Sequence, residues 1–234
     1  MATLFDHSME TDFSEWSSFQ VDGDPIGDLA WSASAGMAGS AGGAANLVDS
    51  SGQTWLQQLI TWSTRWLHIR AYFDPNSINM GSGDKWRFIS CSGREFNLNI
   101  GYNGTNYFAS ADVEDDGSTK RATSDYVLPG TNDGPHFVEI RIQRAETNVS
   151  VDGQVSLYLD GTLQETLGSI DLFDHTVPAH VRVGVGSGID SPTTNGTFYF
   201  DEVKCTNDDT EIGAVPSSGL ILPVAMHNYR RNRA

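Results

Sequence analysis

The chain has 234 residues, enough to bury a core without disulfide staples and suited to one large β domain or one domain with an appendage. Thirty acidic residues against fourteen Lys and Arg leave a formal charge of −16. That balance argues against a nucleic-acid surface and against docking on anionic membranes.

In chain order, a first short strand is expected around Leu4-Phe5. Residues 32–45 are almost wholly Ala, Gly and Ser, which allows a tight loop or close strand packing, with a flexible linker as the alternative. Strands then follow in quick succession. Leu67, Ile69, Ala71 and Phe73 alternate with Trp66, His68, Arg70 and Tyr72, so the two sets occupy opposite faces of one strand. Trp86 to Cys91 is a further strand, with Trp55, Trp62 and Trp86 assigned to the core or its rim. Phe96, Leu98 and Ile100 alternate with Asn97 and Asn99 and run into the turn Asn103-Gly104. Tyr107, Ala109, Ala111 and Val113 lead to the acidic turn Glu114-Asp115-Asp116-Gly117.

Val138, Ile140 and Ile142 form the next strand, and Asp152-Gly153 turns the chain into Val155, Leu157 and Leu159. Asp160-Gly161 is a strong hairpin signal, because both turn positions tolerate positive φ. Val181, Val183 and Val185, then Phe198 and Phe200, complete the series. One apolar face per strand is the pattern of antiparallel sheets, and short strands joined by Gly, Asp and Asn turns indicate a sandwich or barrel. Cys91 and Cys205, far apart and alone, are read as free thiols.

Two runs carry a family resemblance. His136-Phe137-Val138-Glu139-Ile140-Arg141-Ile142 followed by Val155-Ser156-Leu157-Tyr158-Leu159-Asp160-Gly161 resembles the central hairpin of concanavalin A-like, laminin-G-like jelly rolls. Gly196-Thr197-Phe198-Tyr199-Phe200-Asp201-Glu202-Val203 is similar to their closing strand, and Phe5 to Glu10 to their opening one. The resemblance implies two curved antiparallel sheets and, depending on the branch, sugar, protein or calcium binding or glycan hydrolysis. The organisation as a whole also resembles jelly-roll structural proteins of tailed phages. The expected fold is therefore all-β: an antiparallel two-sheet jelly-roll β-sandwich over residues 1–212, with a linker and extended C-terminal arm over 213–234. The arm has an apolar half, Leu220, Ile221, Leu222 and Met226, and a basic half, Tyr229, Arg230, Arg231 and Arg233.

Candidate chemistry is sparse. Glycoside hydrolysis needs two carboxylates about 5–5.5 Å or about 6.5–9.5 Å apart, and the E-x-D-x-x-E pattern of the fold's hydrolase branch is absent. Glu114-Asp115-Asp116 reads as a solvated turn, and the adjacent Asp201 and Glu202 should face opposite ways. The acidic clusters lack EF-hand spacing, so no metal or cofactor is expected; calcium is the one exception with any support, at Asp22 with Asp24. The six His are scattered without zinc spacing. Aromatic and cationic side chains at Trp66, His68, Arg70 and Tyr72 form the candidate ligand or partner face, unless a loop, the arm or a neighbouring subunit covers it.

The expectation is a non-enzymatic structural or adhesive module of a larger assembly, a phage virion decoration or tail protein. Its partners would be neighbouring copies and other assembly proteins, as a homo-oligomer, with neither nucleic acid nor membrane. No secretion signal is visible at Met1 to Asp6, so the place is the virion, or otherwise the cytoplasm. The alternative is a carbohydrate-binding module, and a third reading is a hydrolase with an unrecognised carboxylate pair.

Overall fold

The computed structural model describes residues 2–21, 28–48, 53–91, 96–115, 119–130, 134–147, 150–172, 179–186 and 194–216. Their strands, in chain order, are β1 Thr3–His7, β2 Ser18–Val21, β3 Leu29–Ser32, β4 Gly43–Val48, β5 Thr54–Leu59, β6 Trp66–Asp74, β7 Lys85–Cys91, β8 Phe96–Tyr102, β9 Tyr107–Asp115, β10 Thr119–Ala122, β11 Tyr126–Val127, β12 His136–Gln143, β13 Gly153–Leu159, β14 Thr162–Ile170, β15 His180–Val185 and β16 Gly196–Thr206. One 3-10 turn, Ala33–Ala35, is the only helical element among the described residues.

The strands form two antiparallel sheets. The first has the order β14-β13-β12-β6-β16-β4-β3, with β1 also paired to β16. The second has the order β10-β9-β8-β7-β15-β5-β2, with β11 paired to β9. This is a jelly-roll β-sandwich, as expected. Each predicted apolar set points inward: Leu67, Ile69, Ala71 and Phe73 from β6 meet Leu98, Ile100, Ala109 and Val183 from the opposite sheet in one continuous core. Phe73, Phe88, Phe198 and Phe200 pack ring against ring at its centre, with centroids 5.5–5.9 Å apart, close enough for aromatic attraction beyond simple burial. Both cysteines are buried thiols.

Local chemistry sets the connections. Asp160 and Gly161 take φ of 48° and 77°, the two positive values the β13–β14 hairpin needs. Between β8 and β9, the Asn103 side-chain oxygen accepts from the amides of Thr105 and Asn106, the local bonding that makes Asn a turn former.

The small-residue stretch is close packing rather than linker. Its last three residues open β4, held between β3 and β16. A Cβ on Gly43 would lie 2.5 Å from the Ala35 carbonyl oxygen and 2.9 Å from that of Phe200. Neither backbone atom can yield cheaply. Gly43→Ala is expected to destabilise the fold by about 1–3 kcal/mol in chemical denaturation, the cost typical of overpacking; an unchanged midpoint would show that the backbone relaxes freely here.

Candidate functional site

The predicted face on β6 lies outside the core, as the alternation requires, but the chain's own C-terminal segment crosses it. Glu139 of β12 sits beside His68 in the paired strands, with its Oε1 3.2 Å from His68 Nδ1. The backbone amides of Ile212 and Gly213 donate to its two oxygens at 2.9 and 3.1 Å. Arg70 donates to the Gly213 carbonyl at 3.0 Å and to the Glu202 carbonyl at 3.1 Å. The Val215 amide donates to the Tyr72 hydroxyl at 3.0 Å. His68 is 0%, Arg70 3% and Tyr72 9% exposed. Residues 211–215 thus form a strap that occupies the space a ligand would need over these three side chains. Trp66, at the strand's start, stays half-buried with the Arg141 guanidinium 5.3 Å over its ring. The predicted arm residues Leu220, Ile221, Leu222, Met226, Tyr229, Arg230, Arg231 and Arg233 lie outside the described residues, as do Asp22 and Asp24.

One reading is corrected on this face. Asp201 and Glu202, expected on opposite sides, are both on the outer side of the first sheet. The register of β16 against β6 shifts between Asp201 and Lys204, and Glu202 takes a φ of 51°; a bulge resets the alternation there. Asp201 accepts from the Met37 amide at 2.9 Å and from the Ser40 hydroxyl. Burial pushes its pKa up to about 7. Burial also raises that of Glu202, against the pull of Arg70, 3.8 Å away.

Sequence reasoning did not single out the outer face of the second sheet. Strand register aligns Asp112, Asn97, Ser90, Arg182, Gln57 and Ser18 in one row across β9, β8, β7, β15, β5 and β2. Beside it run Ser110, Asn99 and Arg87, and further across Gly184 and Trp55. The amides of Asn97 and Asn99 donate to the two oxygens of Asp112 at 2.7 and 2.6 Å. Arg182 stacks 4.1 Å over the Trp55 ring and donates from Nε to Gln57 at 3.0 Å. Burial lowers the pKa of Arg182, and burial together with the Arg182 charge lowers that of His180, so its imidazole is neutral near pH 7.

Asn97 is 2% exposed, yet its side-chain oxygen has no partner. Trp55 and Phe108 are buried but lie outside the core. The face is a platform of amides, hydroxyls and guanidinium groups, suited to a ligand rich in hydroxyls. The polar alternation of Asn97 and Asn99 was visible in the sequence; their alignment with Arg182 and Gln57 depends on β15 lying between β7 and β5. No group of His, Cys, Asp and Glu able to hold a metal ion occurs among the described residues.

No protein-family model and no curated protein matches the chain. Solved structures do match in fold. An endo-β-1,4-glucuronan lyase from the fungus Trichoderma reesei superposes with a TM-score of 0.62 at 10% identity, over 88% of this chain and 96% of the lyase. The cellulose-induced protein Cip1 gives 0.61 at 17% identity, over 90% of this chain and all of Cip1. Botulinum neurotoxin type C, whose uptake by cells depends on interaction with two ganglioside molecules, gives 0.60 at 10% identity, over 90% of this chain and 49% of that longer one.

The class defined by the fold is thus a jelly-roll β-sandwich. The expectation of a non-enzymatic body is corrected by the first of these likenesses. The same architecture, over most of this chain, is that of an enzyme, so the fold gives no ground for excluding catalysis. The likenesses lend the virion reading no support.

Proposed function

We propose that this chain binds carbohydrate on the outer face of its second sheet. The observation that carries the reading is the aligned polar row itself. Asn97 is buried outside the core with an unsatisfied oxygen, beside Asn99, Ser90, Arg182 and Gln57. Buried polar atoms are normally satisfied, so an unmet acceptor in this row marks hydrogen-bonding capacity that the fold itself does not use. The face on β6 is the weaker candidate, because residues 211–215 fill it. Support of a general kind comes from the fold's occurrence in a glucuronan lyase, in a cellulose-induced protein and in a ganglioside-dependent toxin.

The test is binding of the full chain to a glycan panel, with Asn97→Ala in parallel. Binding is expected, and the variant should weaken it about tenfold, roughly 1.4 kcal/mol, with an unchanged far-ultraviolet spectrum. A blank panel, or binding indifferent to Asn97→Ala, would defeat the assignment. Incubating each bound glycan with the protein and assaying for new chain ends adds a direct check for turnover.

A further inference from the structure

The proposed glycan face has a charge pattern opposite to that of the rest of the molecule. The chain carries thirty acidic residues against fourteen Lys and Arg, and three of its cations elsewhere lie beside carboxylates. Arg65 lies 2.6 Å from Asp152, Lys204 2.6 Å from Asp6, and Arg70 3.8 Å from Glu202. On the outer face of the second sheet, register places Lys85, Arg87, Arg182 and Lys120 with only Asp112 and Glu114 among its described strand residues. Asp112 is already taken by two amides, and Glu114 lies across from Lys120.

Arg182 is the centre of this pattern. Its guanidinium is half-buried against the Trp55 ring and anchored through Nε to Gln57, and no carboxylate among the described residues lies within ion-pair distance. A cation taken partly out of water without a counter-charge is costly to the fold. The anchoring aims and stiffens the guanidinium, and an Arg held in this way offers its remaining N–H groups as a fork that matches a carboxylate.

We propose that the glycan taken by this face is acidic, a polysaccharide bearing uronate carboxylates, and that Arg182 is the residue that pairs with the carboxylate. The inference rests on the carbohydrate reading above. The net charge of −16 opposes a longer-range attraction for nucleic acid, so the anion is read at short range, by a fork on a platform of amides and hydroxyls. Gln57 and Trp55 act as positioning residues, since each touches Arg182 and holds its plane.

A matched pair of ligands tests this. β-1,4-linked glucuronic acid oligosaccharides and β-1,4-linked glucose oligosaccharides of equal length differ only in the carboxylate at C6. Calorimetric titration of the full chain should show the acidic series binding at least about tenfold more tightly. That preference should shrink as salt is raised from about 0.05 to about 0.5 M. Arg182→Gln should remove the preference, and Arg182→Lys should restore only part of it. Should Arg182→Gln fail to fold, the wild-type preference and its salt dependence decide the matter by themselves. Equal or tighter binding of the glucose series would overturn this inference and leave carbohydrate binding standing. Binding of neither series, with a blank glycan panel, would overturn both. A single-stranded oligonucleotide bound as tightly as the uronate would show a general polyanion surface and overturn the assignment to acidic glycan.

Discussion

Replacing Glu139 with Ala is expected to cost about 3–5 kcal/mol of stability, because it strips the acceptor from three donors at about 1–3 kcal/mol each where they are buried. Its carboxylate is fully buried and takes three contacts: His68 Nδ1 and the amides of Ile212 and Gly213. The substitution leaves all three donors without an acceptor inside the protein. It also removes the tie that holds residues 211–215 on the sheet, leaving Arg70 and Tyr72 as the remaining anchors. Urea denaturation measures the first effect. Hydrogen exchange measures the second: the Ile212 and Gly213 amides should exchange well before the core. Glu139→Gln keeps one acceptor oxygen and should cost clearly less. A loss under about 1 kcal/mol for the Ala variant would mean that water replaces the carboxylate at no great penalty.

Asp201→Asn is expected to be more stable than the wild type at about pH 8, by roughly 2–4 kcal/mol, with the gap closing as pH falls toward about 5. The folded-state pKa of Asp201 is raised to about 7 by burial, whereas an unfolded chain keeps it near 3.9, about the ordinary value. Between those values the folded state holds a proton that the unfolded state has released. Stability therefore falls as pH rises through the window, the reverse of the usual carboxylate contribution. Protonated Asp201 can donate to Ser40 Oγ while that hydroxyl donates to the Gly42 carbonyl, and the Met37 amide keeps its acceptor. An Asn amide removes the titration at every pH, but from the Oδ2 position it can meet only one of these two partners, the Met37 amide or Ser40 Oγ, which trims the gain. Urea midpoints of both proteins from about pH 5 to 8 give the comparison; parallel curves would show that Asp201 is ionised in the fold throughout.

Two-residue periodicity carried the architecture. Val138, Ile140 and Ile142, Val155, Leu157 and Leu159, and Val181, Val183 and Val185 all point into the core, because alternation leaves a strand only one way to bury its apolar set. Asp160-Gly161 determined a turn for the same local reason, since Gly, and to a lesser degree Asp, accept positive φ at low cost. The strands that escaped notice lack this signal. β14 reads Thr-Leu-Gln-Glu-Thr-Leu-Gly-Ser-Ile, sits at the sheet edge, buries little, and shifts register against β13. β4 buries backbone and small side chains, not a row of large ones.

The sequence by itself therefore determined the all-β class, the inward faces of the long strands and the hairpin, which are properties of neighbours along the chain. Only the tertiary structure decided what each outward face brings together. The strap covers His68, Arg70 and Tyr72 because Glu139, 71 residues from His68, lies opposite Arg70 in the paired strand and reaches His68 diagonally. The bulge at Glu202 turned two acidic side chains to one side. Asn97, Arg182 and Gln57 became one platform through a strand order, β8-β7-β15-β5, that joins segments remote in sequence. Their alignment depends on pairing across the whole sheet, and periodicity within a single strand carries no information about its partner.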